Sequence, residues 1–139
     1  MIKILILILS LLLMCCTCRD DENCHNTIIS INNSTDTLYI TSSGEYPDTS
    51  IYNPNPVLDP NFTKVLPNES NTRVLWGRDC IELAFKDLIP YDTLMVYVFD
   101  AKVLEENAWE TVKENYLVLK RYDLSLEDLQ NLNWTITYP

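Results

Sequence analysis

Glycine and histidine are scarce in this chain of 139 residues. It has only two glycines, Gly44 and Gly77, and one histidine, His25. Nucleotide-binding loops need closely spaced glycines so that the backbone can approach phosphate groups, and this sequence therefore excludes such loops. A single histidine also excludes zinc sites with two histidines and leaves one residue to serve as base for a serine or cysteine nucleophile.

Positive charge is scarce as well. Ten lysines and arginines stand against twenty aspartates and glutamates, which gives a net charge of −10 at pH 7. A surface of this sign repels phosphate backbones, so we expect no nucleic-acid partner. The chain has material for one modest domain and no more.

No apolar run is long enough for a spanning helix, although a short one opens the chain. After Lys3, residues 4–14 contain only one polar side chain, Ser10. Crossing a bilayer takes about 20 apolar residues, and the shorter run is typical of a cleaved secretory signal. We predict a signal peptide at 1–15, an acidic tether at 16–23 and a single domain at 24–139.

The predicted cleavage site resembles a bacterial lipobox, with Leu13, Met14 and Cys15 before Cys16. The resemblance implies a lipid on Cys16, with Cys18 as the alternative, and hence a membrane partner through this anchor. The acidic run at 20–22 is similar to the export signal of Bacteroidetes-type surface lipoproteins, or else is a solvated spacer. The expected location is the bacterial outer membrane, exposed at the cell surface.

Two cysteines fall in the predicted domain. We expect Cys24 and Cys80 to form a disulfide, because an exported chain matures in an oxidising compartment. The bridge would fasten the first strand to the middle of the domain. Acylation of Cys16 leaves Cys18 as an odd thiol, and this parity argues for Cys18 as the lipid site, so the choice between them stays open.

Short β-branched and apolar runs predict a mainly β fold. The predicted strands are 27–31, 37–41, 74–76, 81–86, 94–99, 116–122 and 134–138, with 62–66 as an eighth. We expect the first two to form a hairpin and 94–99, apolar throughout, to be a central strand covered on both faces. This number of short strands favours an antiparallel immunoglobulin-like β-sandwich, with α+β as the alternative.

Two short helices are predicted among the last strands. Asn107 with Glu110, and Ser125 with Asp128, have the spacing of helix starts. The apolar residues after each start recur at helical spacing, so we expect both stripes to face the core.

The irregular stretch 42–61 carries four prolines and two tyrosines, Tyr46 and Tyr52. Long irregular loops in compact domains are usually functional or disordered, and proline lowers the entropy cost of presenting a side chain. This stretch is therefore the candidate binding loop. The alternative, which the composition favours, is a lid over a sheet edge. Its buried residues would be Ile51, Val57 and Leu58.

The chemistry of a catalytic or metal site is mostly missing. Four glutamates could supply the carboxylate pair of a glycosidase, but their spacing equally describes a solvated helix face. They are Glu105, Glu106, Glu110 and Glu114. We predict no enzymatic activity, no cofactor and no metal site.

Two Asp-Thr-Leu tripeptides, at 36–38 and 92–94, are similar to the O-glycosylation sequon of Bacteroidetes-type exported proteins. The resemblance implies glycan attachment at Thr37 and Thr93. The alternative is an ordinary turn exit before a strand, where Asp-Thr is common.

The mature chain is similar to small lipoproteins of gut Bacteroidetes in its Cys24-His25 opening, its Asn-Asn-Ser turn at 32–34 and its ending from 122 to 139. The resemblance transfers no activity and no catalytic residue. We expect a non-catalytic binding or accessory module that recognises another envelope protein or a glycan. The alternatives are an enzyme that degrades envelope material or polysaccharide, and a structural subunit of an envelope complex.

Overall fold

A computed structural model describes residues 24–51, 53–73 and 80–139. The predicted leader, the lipid sites Cys16 and Cys18, the acidic tether, Tyr52 and the predicted strand 74–76 lie outside the described residues. Within the described ranges, seven strands and five α-helices form a β-rich mixed α/β fold.

The strands are β1 Ile29–Asn32, β2 Leu38–Ser43, β3 Lys64–Val65, β4 Ser70–Asn71, β5 Leu94–Asp100, β6 Lys120–Leu124 and β7 Thr135–Tyr138. The helices are α1 Pro60–Thr63, α2 Ile81–Asp87, α3 Ala101–Glu106, α4 Trp109–Glu114 and α5 Leu126–Asn131. Short 3-10 turns lie at Pro56–Leu58 and Pro90–Asp92. One sheet has the order β4-β1-β7 and the other the order β3-β2-β5-β6.

Strand β5 lies at the centre of the fold, as its continuous apolar run predicts. Its residues from Leu94 to Phe99 are all buried. Successive side chains point to opposite faces of a strand, and here they alternate between two separate core clusters. The central position predicted for 94–99 is confirmed.

The first core joins the two sheets. Ile136 of the three-stranded sheet meets Ile40 and Val96 of the four-stranded sheet, and Phe85 of α2 and Leu129 of α5 complete the cluster. Burying each large apolar side chain contributes about 1.5–3 kcal/mol. This shared core therefore holds both sheets and two helices together.

The second core covers the other face of the four-stranded sheet. Tyr39 and Phe99 pack against Leu104 of α3, Val112 of α4 and Ile51 of the proline-rich stretch. The ring of Trp109 closes one side and meets Phe99 edge-on, with 5.7 Å between ring centroids. The proline-rich stretch is thus a lid over a sheet face.

The predicted hairpin of 27–31 and 37–41 is wrong, because β1 and β2 belong to different sheets. The fully buried side chain of Asn32 explains the turn between them. Its amide donates to the carbonyls of Asp36 (2.8 Å) and Val65 (3.2 Å), and its Oδ1 accepts from the N–H and hydroxyl of Ser34. These bonds direct the chain into the second sheet.

Strand β1 pairs with β7 in parallel and with β4 in antiparallel orientation. The parallel pair of β1 and β7 corrects the antiparallel pairing expected for the whole sandwich. The four-stranded sheet does follow it, since β2 pairs antiparallel with β3 and β5, and β5 with β6.

The predicted strand 81–86 is also wrong, because these residues belong to α2. Ile81 and Phe85 are buried one helical turn apart, whereas Leu83 between them is 44% exposed. Apolar residues at every second position always include a pair at helical spacing, so alternation over so short a run does not decide between strand and helix.

Of the two predicted helix starts, the one at Ser125 is confirmed and the one at Asn107 is displaced by one residue. Helix α4 begins after Ala108, and the amide of Asn107 donates to the Val103 carbonyl near the end of α3 (2.8 Å). Ser125 and Asp128 form the reciprocal capping box of α5, as predicted.

Candidate ligand cleft

A cleft of about 360 Å³ opens between β2 and the segment from 53 to 63. We call it the Thr41 cleft. Its lining residues are Thr41, Ser42, Asn53, Pro54, Asn55, Pro56, Asp59, Phe62, Thr63 and Arg73. Ligand sites in proteins are typically concave, with a mostly apolar surface and a few polar groups. Most of the surface inside this cleft is likewise apolar, although several of its lining residues carry polar groups.

Thr41 is the unusual residue of the cleft. It lies on β2 opposite Tyr97 of β5, is only 8% exposed, and its hydroxyl has no hydrogen-bond partner among the described residues. A buried hydroxyl without a partner costs about 1–3 kcal/mol. Native proteins keep few such groups, and those that persist call for an explanation.

Hydrogen bonds fix the loop wall of the cleft. The amide of Asn53 donates to the Ser42 carbonyl (2.9 Å), while its own backbone carbonyl accepts from the Trp109 indole (3.2 Å). The Thr63 hydroxyl lies within hydrogen-bond distance of the carbonyls of Pro56 (2.7 Å) and Asp59 (2.9 Å) and can donate its one proton to either. Together with the restricted backbone of the prolines, these bonds hold the wall in one conformation.

Two charged groups face the cleft without an ion pair. The Arg73 guanidinium lies over the Phe62 ring, 4.9 Å from its centroid, in cation–π geometry. Among the described residues neither Arg73 nor Asp59 belongs to a salt bridge. The cleft thus offers one donor cation and one acceptor anion.

The predicted binding loop contributes to this site, but through other residues. Tyr46 is half-buried and packs against the second core, and Tyr52 lies outside the described residues. Ile51 is buried and Val57 packs on the same core, as expected of a lid, whereas Leu58 is 78% exposed and departs from that expectation. Sequence reasoning did not single out Thr41, Asn53 or Arg73. The proline clustering around 54–56 was a signal for Asn53, whereas no local pattern pointed to Thr41 or Arg73.

A second, polar depression of about 330 Å³ lies at the start of α3. It includes Thr37, Asp100 and Glu105. The Asp100 carboxylate accepts from the Lys102 N–H (2.7 Å) and caps the helix, so it is already engaged. We find in this depression only the charged surface expected around a helix start.

The two predicted glycosylation sites lie where their strands begin, as the turn-exit alternative also requires. Thr37 precedes β2 and Thr93 precedes β5, and both are half-buried. The Thr93 hydroxyl donates to the Tyr91 carbonyl (3.0 Å).

The four glutamates singled out in the sequence are all exposed on α3 and α4. Glu110 lies 3.2 Å from the Lys113 ammonium, one helical turn away. This arrangement is a solvated helix surface.

The predicted disulfide between Cys24 and Cys80 is confirmed, with the two Cα atoms 5.1 Å apart. It closes a loop with a sequence separation of 56, which the chain-entropy model values at about 4 kcal/mol. A Glu82 oxygen lies within 4.8 Å of both sulfur atoms, a grouping that suits a metal ion only when the thiols are free. Because the sulfurs are bonded to each other, this cluster is structural.

His25 and Glu82 tighten the same junction. The Glu82 carboxylate accepts from the backbone N–H of His25 (2.9 Å) and lies 2.6 Å from its Nδ1. The imidazole also stacks on the Trp134 ring, with 4.2 Å between centroids. The start of the domain is thus fixed to α2 and to the residue before β7.

No family model, curated protein or solved structure matches this chain. In the part of the chain that the structure describes, no helix has the length and apolar character needed to cross a membrane.

Proposed function

We propose that this chain is an exported, lipid-anchored binding module, without catalytic activity, whose ligand site is the Thr41 cleft. The observation that carries the binding role is a preformed cleft lined by Thr41, whose buried hydroxyl has no hydrogen-bond partner among the described residues. Such a group is costly in the free protein and becomes favourable once a ligand satisfies it.

The location is proposed from the first residues of the sequence. A short apolar leader followed by a lipobox-like cysteine, Cys16 or Cys18, supports lipid attachment at the bacterial outer membrane, and the acidic run 20–22 supports display at the cell surface. The tether of about eight residues reaches at most about 25 Å. The cleft would therefore act close to the membrane, on another envelope protein or on a glycan.

We also retain the immunoglobulin-like sandwich as the finer description of the fold. Two sheets that share one core support it. The division of β1 and β2 between the two sheets departs from it, because the first two strands of that fold share a sheet. The parallel pairing of β1 with β7 and the helices over the second core depart from its simplest form.

The anchor is tested by growing cells with an alkyne fatty acid and detecting the label on the purified protein. We expect label on the natural chain, loss with C16A and retention with C18A. Retention of the label with C16A and its loss with C18A would assign the lipid to Cys18. An unlabelled natural chain overturns the anchor.

The binding role is tested by NMR with a library of small neutral, acidic, basic and zwitterionic compounds. We expect at least one class to shift the amide signals of Thr41 and Asn53 and to leave that of Asp100, in the polar depression, unchanged. If no class shifts the cleft signals, or if shifts occur only around Asp100, the proposed site is wrong.

A further inference from the structure

We infer that the Thr41 cleft binds a neutral carbohydrate, either a single sugar ring or the end of a short chain. This inference rests on the proposed binding role of the cleft and adds the chemical class of the ligand. It is drawn from the charge, the shape and the unsatisfied groups of the cleft.

The two charged residues of the lining have opposite signs, which favours a neutral ligand. An anionic ligand would be attracted by Arg73 but repelled by Asp59, and a cationic ligand would meet the opposite conflict. A ligand hydroxyl both donates and accepts, so a polyhydroxylated ligand can bind a guanidinium and a carboxylate at once. Both groups are without an ion pair among the described residues and are therefore available.

The shape suits a small ring with two kinds of surface. Pro54 and Pro56 give the cleft apolar ring surface, against which the C–H face of a sugar packs while its hydroxyls reach the polar groups. A volume of about 360 Å³ is near the lower end of the range of about 300–1,000 Å³ for ligand sites. The cleft therefore fits one or two sugar rings.

Thr41 is the one buried polar residue among those that line the cleft. Its hydroxyl oxygen is shielded from solvent in the free protein. A threonine χ1 has alternative staggered positions, and one rotation exchanges the hydroxyl with the methyl group. We expect a sugar hydroxyl to stabilise the rotamer that turns the Thr41 oxygen into the cleft.

The test uses the purified full chain in detergent and defined probes. They are glucose, galactose, mannose, N-acetylglucosamine and their disaccharides, with acetate, ethylammonium and the zwitterionic dipeptide Gly-Gly for comparison. We expect at least one sugar to bind and T41V to weaken that binding about tenfold or more, because the ligand hydroxyl loses its partner. S30A is the matched control, since Ser30 is the other buried hydroxyl without a partner among the described residues and does not line the cleft.

Asp59→Asn tests whether charge selects the ligand. D59N removes the negative charge, so it strengthens binding of an anion but leaves binding of a neutral sugar equal or weaker. Sugar binding that T41V weakens, with S30A unchanged, supports the inference. Binding of acetate, ethylammonium or Gly-Gly at the cleft, with no sugar bound, overturns the carbohydrate class and keeps the binding role. No binding by any probe overturns both.

Discussion

The described ranges contain three buried polar side chains, which differ in whether their polar groups have hydrogen-bond partners. All the amide groups of Asn32 have partners, whereas the hydroxyls of Ser30 and Thr41 have none. A satisfied buried group stabilises one conformation of the chain, and an unsatisfied one costs free energy. We therefore assign Asn32 to the fold, and we propose Thr41 for ligand binding because Thr41, unlike Ser30, lines the cleft.

We predict that N32A lowers the free energy of unfolding by about 2–3 kcal/mol, because the carbonyls of Asp36 and Val65 lose the hydrogen bonds that the Asn32 amide donates. Urea unfolding measures the change. N33A is the matched control, since Asn33 is the exposed neighbour and its backbone bond to Tyr138 survives. Equal losses in the two variants would show that Asn32 has no special role.

The buried phenol of Tyr97 should make the free energy of unfolding depend on pH in the alkaline range. Burial raises the pKa of its phenol from 10.0 to about 12. Between these values the folded chain keeps the proton that the unfolded chain releases, so the free energy of unfolding falls as pH rises above 10.0. Y97F removes this contribution. We expect its urea midpoint to change less between about pH 9 and about pH 11 than that of the natural chain.

Y91F is the matched control for this titration, because Tyr91 is 74% exposed. It should follow the natural chain across the alkaline range. A Y97F variant with the same pH dependence as Y91F would contradict the prediction.

At the scale of elements, the sequence predicts an element correctly where the local pattern is strong. It predicts incorrectly where the run is too short to fix its period or where the element depends on distant contacts. The position of β5 follows from its continuous apolar run, and α5 from its capping pair Ser125 and Asp128. The predicted strand 81–86 is wrong because the spacing of Ile81 and Phe85 fits both the two-residue period of a strand and the 3.6-residue period of a helix. The sheet assignment of β1 fails because it depends on contacts of Asn32 with residues as distant as Val65. The cleft combines β2 with residues from 53 to 73, and no local pattern predicts that meeting.

The junction between α2 and the start of the domain should weaken in acid. Burial raises the pKa of Glu82, but hydrogen bonds from the backbone and ring of His25 outweigh it and leave the pKa below 4.5. A lowered folded pKa contributes stability above the unfolded value, and this stability is lost as pH falls through the folded pKa. We expect E82Q to be less stable than the natural chain at neutral pH and to lose less stability on acidification.

Urea unfolding across the acid range measures this difference. E114Q is the control, because Glu114 is exposed at the end of α4 and makes no salt bridge among the described residues. Asp128 also has a lowered pKa, through hydrogen bonds from Ser125, so part of the acid dependence should remain in every variant. Parallel curves for E82Q and the natural chain would refute the role of Glu82.

At the scale of the whole molecule, one strand joins two cores. The four-stranded sheet presents one face to the other sheet and the other face to the lid and to α3 and α4. Since β5 contributes side chains to both clusters, neither core can lose its packing without exposing half of the central strand. The wall of the Thr41 cleft belongs to the lid, so the stability of the second core also sets the rigidity of the proposed site.

We therefore predict that the domain unfolds in a single transition. L129A in the first core and L104A in the second should each lower the free energy of unfolding by about 2–5 kcal/mol, because both leucines are buried. L58A, at an exposed leucine, should change it by less than about 0.5 kcal/mol. Far-UV circular dichroism follows the secondary structure, and near-UV circular dichroism follows the packing of the aromatic side chains, which include Tyr97 and Trp109 of the second core. Coincident urea curves from both signals in every variant would support one transition, whereas an early near-UV transition confined to L104A would show that the lid and second core unfold separately.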